Sequence, residues 1–374
     1  MKRILPVYLD TGLTTDCFHF MKLAPLFGDE RFHPWYMERF IELEMGMRDG
    51  ESIEDFWLHY YRLEHVDLDL LYQGVYNFHY FTGTDFLDIV STSIDHIDQG
   101  SYVVLICDNY YIRNSEHFRK SHDIHEYLLF GYDKLENMFN ILAIKDHKWT
   151  TETVSFEDIK QGFVGGLDTM RNEFKELYRL FRYHMPATSF SPKLNDMRKP
   201  NLSKMLESIE NYLTGEVRQI AKRKGAGERP YGSYVEWSGT CIYEGLRNRI
   251  CGVVEVEPSL LMDRGIILGI KRMYENKRGM LNRLHYLHNN DYIQLDCSLT
   301  DMFQELCESL DKLMSLMMVF YYRPGSEVMA SIKKRISETE KLDHTAMTGA
   351  FQVIYNGLKR GLHQEVSGSA QQIT

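Results

Sequence analysis

Between residues 100 and 146 the apolar positions fall in short, nearly unbroken runs separated by turn formers. GSYVVLICDNYY, SHDIHEYLLFGYD and MFNILAIKD each read as a strand bounded by Gly, Asn or Asp, the pattern of successive strands in one buried sheet. Around them the spacing is helical. Residues 34–46 (PWYMERFIELEMG) predict a helix with Pro34 in its first turn and Gly46 past its end, and residues 84–98 predict another closed by Gly100. Ser155 with Asp158 resembles a capping box that opens a helix over 156–163, followed by a longer one over 167–184.

Three of the nine prolines, Pro186, Pro192 and Pro200, lie in a stretch with little periodicity, which predicts a linker over 186–200. Beyond it almost everything is helical, with segments near 201–224, 231–250, 259–289, 299–322 and 326–361. Ile266, Ile270, Met273, Leu281 and Leu284 illustrate the spacing. Most methionines there read as adaptable core or interface filling, and residues 365–374 read as a flexible tail. The expectation is an α+β domain over 1–185 and an all-helical half over 201–364.

Composition narrows the function. A 374-residue chain with 44% hydrophobic content supports two packed domains. Its net charge of −10 argues against a nucleic-acid partner. The longest apolar run, residues 313–322, is too short to span a bilayer, so no membrane is expected. Six scattered cysteines without a CxxC pair fit a reducing compartment, and the N-terminal apolar run stops at Asp10, so a cytoplasmic location is expected.

The candidate chemistry is a cysteine triad. Cys17 follows Thr14, Thr15 and Asp16, all able to cap a helix, and a sulfur in the first turn meets the positive end of the helix dipole. Pro25 limits that helix to a short or bent one. His125, at the mouth of a strand, is the expected general base, ahead of His117, His122 and His147. Asp146, at the end of the next strand, is the expected orienting carboxylate, ahead of Asp108 and Asp133. A zinc reading of His117, His122, His125 and Asp123 is the alternative, although the spacing is not HExxH. Arg218, Lys222, Arg223, Lys224 and Arg229 concentrate basic charge in an acidic chain and are candidates for docking an acidic or phosphate-bearing partner.

Taken together, Cys17, the DNYY of the first strand, HDIHEYLLFGYD, and ILAIKD followed by VSFEDI resemble the N-terminal domain of the butirosin biosynthesis protein H family across residues 1–165. The resemblance implies a papain-like cysteine-protease fold and an acyltransferase with no bound cofactor. Its donor would be a phosphopantetheine thioester on an acyl or peptidyl carrier protein. Its acceptor would be an amine-bearing small molecule or peptide, in bacterial antibiotic or nonribosomal peptide biosynthesis. No Gln precedes Cys17, so the Cys17 N–H is the first oxyanion donor, with Thr11 or Thr14 as candidates for a second. A thioesterase or amide hydrolase with the same triad and a noncatalytic scaffold are the alternatives. The Met- and aromatic-rich helices suit a lid or a homodimer interface.

Overall fold

In the computed structural model, residues 1–48, 56–59, 71–145, 148–172, 186–193, 199–220, 234–256 and 264–371 are described. The chain is mixed α/β with antiparallel sheets and a largely helical C-terminal half. It divides into two compact units, Met1–His33 with Val66–Met197, and Pro34–His65 with Arg198–Thr374.

The first unit is built on a seven-stranded sheet. Its strands are β1 (Lys2–Ile4), β4 (Tyr76–Tyr80), β5 (Tyr102–Asp108), β6 (Ile124–Asp133), β7 (Met138–Lys145), β8 (Lys148–Ser155) and β9 (Ala187–Pro192). The order is β4-β9-β5-β6-β7-β8, with β1 paired to β6. Every pairing is antiparallel. β5 covers Ile124–Leu129 of β6 and β1 covers Gly131–Asp133, so two short strands share one long edge. Gly131 permits this, since a Cβ there would stand 2.7 Å from the Arg3 carbonyl oxygen.

Among the described residues, three α-helices lie wholly in this unit: α1 (Cys17–Leu23), α3 (Ile89–Asp98) and α4 (Phe156–Asn172). The Asp16 carboxylate caps α1 by accepting from the His19 N–H, and the helix stops just before Pro25. Half of the expected capping box opens α4. Ser155 Oγ accepts from the Asp158 N–H at 3.0 Å, while the Asp158 carboxylate takes the Arg113 guanidinium instead of closing the box. At Gly166 a Cβ would sit 3.1 Å from the Asp108 nitrogen, so the missing side chain lets α4 lie close on β5.

In the second unit, β2 (Glu44–Arg48), β3 (Phe56–His59), β10 (Glu216–Ile220) and β11 (Tyr234–Ser238) form an antiparallel sheet in the order β10-β11-β2-β3. The helices are α2 (His33–Met37, whose first residue belongs to the first unit), α5 (Leu202–Thr214), α6 (Ile242–Val256), α7 (Arg264–Asn289), α8 (Cys297–Tyr322) and α9 (Ser326–Gln371). Met273, Met280, Met317 and Met347 are fully buried fillers.

Several expectations need correction. The helix over 34–46 ends at Met37 and gives way to β2. Phe40 adopts a left-handed backbone (φ 60°) that breaks the helix, and Ile41, Leu43 and Met45 alternate with Glu42 and Glu44 at the period of a strand. Residues 187–192 are no linker. They form β9, inserted between β4 and β5, with Ala187, Thr188, Ser189 and Phe190 all buried. The C-terminal half is not all helical, since Gly215 (φ 53°) ends α5 and β10 follows, and β11 precedes α6. The tail over 365–374 is helical through Gln371, no proline interrupting it. The helix over 167–184 is the end of α4 as far as Asn172; residues 173–184 lie outside the described ones.

The second unit also explains a polar face on α7. The turn after α2 leaves backbone carbonyls without ladder partners, and buried orphans of this kind are costly. Asn276 Nδ2 donates to the Phe40 and Ile41 carbonyls at 3.0 Å each, and Arg283 donates to those of Met37 and Arg39. Deeper still, Lys277 Nζ stands 2.9 Å from Asp343 Oδ1, both side chains fully buried. Tyr212 and Tyr243 donate their hydroxyls to Asp343 Oδ2 at 2.6 and 2.8 Å. Lys277 also lies 3.8 Å over the Tyr212 ring. Four helices, α5, α6, α7 and α9, therefore meet at one ion pair.

Candidate active site

Cys17 is the first residue of α1, so its backbone N–H belongs to the turn that no preceding carbonyl can satisfy. The helix is fixed from two strands. Trp149 of β8 stacks on Phe20 (4.1 Å between centroids, 12° between planes) and donates Nε1–H to the Thr14 carbonyl at 2.8 Å. Tyr76 of β4 donates its hydroxyl to the Lys22 carbonyl at 2.6 Å. The loop before Cys17 and the helix after it are thus both anchored to the sheet.

His125, the second residue of β6, comes to this helix from 108 residues away. Its Nε2 lies 3.9 Å from Cys17 Sγ. On its other side Nδ1 is 2.9 Å from the Glu126 carbonyl oxygen, so Nδ1 carries the proton and Nε2 faces sulfur. Burial alone would lower the imidazole pKa. The hydrogen bond with Cys17, the Glu126 carboxylate, the Cys17 charge and the Glu126 carbonyl together outweigh it and push it up to about 9. The protonated ring is therefore favoured at neutral pH, and its contribution to stability is complete below the unfolded value of about 6.5 and lost as pH rises through about 9.

The other expected residues fall elsewhere. Asp146 lies outside the described residues, directly after the end of β7, as does the rival His147. Asp108 pairs with His122 instead of His125, at 2.6 Å, and accepts also from the Thr169 hydroxyl and the Tyr110 and Asp123 N–H groups. This fully buried carboxylate ties the 109–123 loop to β5 and α4. His117 is hydrogen-bonded to Ser121, and Asp133 sits at the far end of β6 near Lys2. Among the described residues no group of three His, Cys, Asp or Glu side chains is arranged to hold a metal ion, so His117, His122, His125 and Asp123 do not form the zinc site considered above.

Thr11 does not serve as an oxyanion donor. It is fully buried and its hydroxyl donates to the Leu13 carbonyl at 3.0 Å. The Thr14 carbonyl is the one held by Trp149. Of the docking candidates only Arg218 is described, and it is engaged by Glu216 at 2.6 Å and Glu236 at 4.0 Å; Lys222, Arg223, Lys224 and Arg229 lie outside the described residues.

Two residues at the site went unread in the sequence. Trp149 stands three positions after Asp146, and an aromatic on an exposed edge strand is the signal that marks it. Glu126 adjoins His125, but strand alternation assigns neighbours to opposite faces, which hides a contact through the backbone. Trp149→Phe is expected to keep the stack on Phe20 yet remove the hydrogen bond to the Thr14 carbonyl, costing about 1 kcal/mol. Trp149→Ala should cost on the order of 3 kcal/mol. Urea unfolding measures both, and alkylation of Cys17 should slow in the same order.

No protein-family model matches this sequence, and no curated protein matches it. Among the described residues, no helix is long and apolar enough to cross a membrane.

Proposed function

We propose that the first unit is a papain-like cysteine acyltransferase, and the observation that carries this reading is the approach of Cys17 Sγ to His125 Nε2 at 3.9 Å. A helix-start cysteine against a strand histidine supports the papain-like assignment, as does the antiparallel sheet on which both are mounted. The neutral imidazole takes the proton from sulfur at Nε2, and the imidazolium so formed stabilises the thiolate beside it. The thiolate attacks the carbonyl of an acyl thioester, and the C–S bond to the donor breaks as His125 returns the proton to the leaving thiol. An acyl-enzyme remains on Cys17. His125, now neutral, takes a proton from an acceptor amine as its nitrogen attacks, and an amide leaves the regenerated cysteine. Asp146, the third member that the sequence order offers, lies outside the described residues. The acyl donor on a carrier protein and the place in antibiotic or nonribosomal peptide biosynthesis rest on the family resemblance.

One observation favours a second reading. The His125 side chain is 37% exposed, so water can reach the ring, and water in place of the amine makes the protein a thioesterase or amide hydrolase.

The test is intact-protein mass spectrometry after mixing with acyl-phosphopantetheine thioesters. A single acyl adduct on Cys17, absent from Cys17→Ala and discharged faster by amines than by water, is the expected result. No adduct with any thioester would sink the acyl-transfer reading, and discharge indifferent to amines would establish the hydrolase.

A further inference from the structure

We propose that Glu126 is the positioning residue of His125, its carbonyl fixing the ring and its carboxylate holding the imidazolium, a role that sequence order gave to Asp146. The inference rests on the Cys17–His125 reading and deepens it. A histidine has one Nδ1–H to donate. Here that hydrogen points to the Glu126 carbonyl at 2.9 Å, the bond that turns Nε2 toward Cys17. A second carboxylate would have to displace this bond to accept from the same nitrogen.

The charge comes from the same residue. Glu126 Oε2 lies 4.0 Å from Nδ1, with the carboxylate only 27% exposed, close and dry enough to favour the protonated ring. Among the described residues Cys17 of α1 and Glu126 and Tyr127 of β6 face His125, and the buried thiol of Cys107 on β5 is its cross-strand partner. Tyr127 meets the ring edge-on at 6.4 Å, its hydroxyl committed to Asn109, so it packs the imidazole without competing for a proton. With Cys17 on Nε2 and Glu126 on Nδ1, both ring nitrogens are occupied and the ring has one orientation.

The experiment is a histidine-selective NMR titration of His125 in the full chain, for wild type, Glu126→Gln and Asp146→Asn, with Cys17 alkylation rates recorded on the same samples. Glu126→Gln is expected to move the His125 midpoint down by about half a pH unit or more, and Asp146→Asn to leave it in place. Glu126→Asp should recover part of the shift. An unchanged midpoint in Glu126→Gln, or a shift in Asp146→Asn alone, overturns the proposal. The two readouts separate the inference from the reading beneath it. Slow alkylation of Cys17 in wild type, unchanged in a His125→Ala sample run beside it, would sink the catalytic reading even where the Glu126→Gln titration moves as expected.

Discussion

His125→Ala is expected to slow alkylation of Cys17 by about 10²-fold or more at pH 6 to 7, the scale on which a positioned acid–base partner acts. The protonated ring is the species that neutralises the thiolate, and it persists up to about pH 9. Without it, the sulfur loses the cation that favours its reactive thiolate form. The two rate profiles should therefore lie far apart below pH 8 and converge above about 9, where the wild-type imidazole has lost its proton. Iodoacetamide labelling with mass detection gives both profiles. Parallel profiles across the whole range would mean that the 3.9 Å approach does not activate the sulfur.

Lys277→Met is expected to destabilise the second unit by about 3 to 5 kcal/mol, because it strands the Asp343 carboxylate in a fully buried site. Asp343→Leu should cost a comparable amount for a different reason. It leaves the ammonium without its counterion and takes the acceptor from the Tyr212 and Tyr243 hydroxyls. Burial holds the Lys277 ammonium below its ordinary range while Asp343 raises it, so loss of the carboxylate lets the lysine shed its proton. Lys277→Met with Asp343→Asn removes both charges and retains an acceptor for one tyrosine. It should recover a substantial part of either single loss, and urea unfolding of this double variant beside Lys277→Met and Asp343→Asn alone measures the coupling. Additive losses would mean that the pair is not a unit.

The parts of this fold that local pattern reveals are those where local pattern decides the structure. β5, β6 and β7 read as strands because their apolar runs are bounded by turn residues and buried in a ladder of consecutive pairings. Cys17 and His125 were legible as candidates from the element ends on which they sit. Their approach was not, since it depends on Trp149 and Tyr76 seating α1 on the sheet. β2 was misread because Met37, Phe40, Ile41 and Met45 fit a helix nearly as well as a strand, and only the left-handed Phe40 decides. β9 was hidden by its two prolines at the ends of the segment and by partners that lie over 80 residues back in the chain. Asp108 looked like a triad acid, but whether it met His122 or His125 depended on the conformation of the 109–123 loop.

The place of β9 bears on how the protein is made. The strand that joins β4 to β5 is the last of its sheet to leave the ribosome, and β2 must wait for β11, some 190 residues later, before its own sheet can grow beyond β3. A nascent chain ending near residue 165 carries every segment named by the family resemblance, yet β4 and β5 still have no strand between them. Such a chain presents two open edges, the condition under which strands from different molecules pair. Expression fragments of this protein should therefore be cut after Met197, not after α4, and the second unit supplied with residues 34–65 rather than begun at 198.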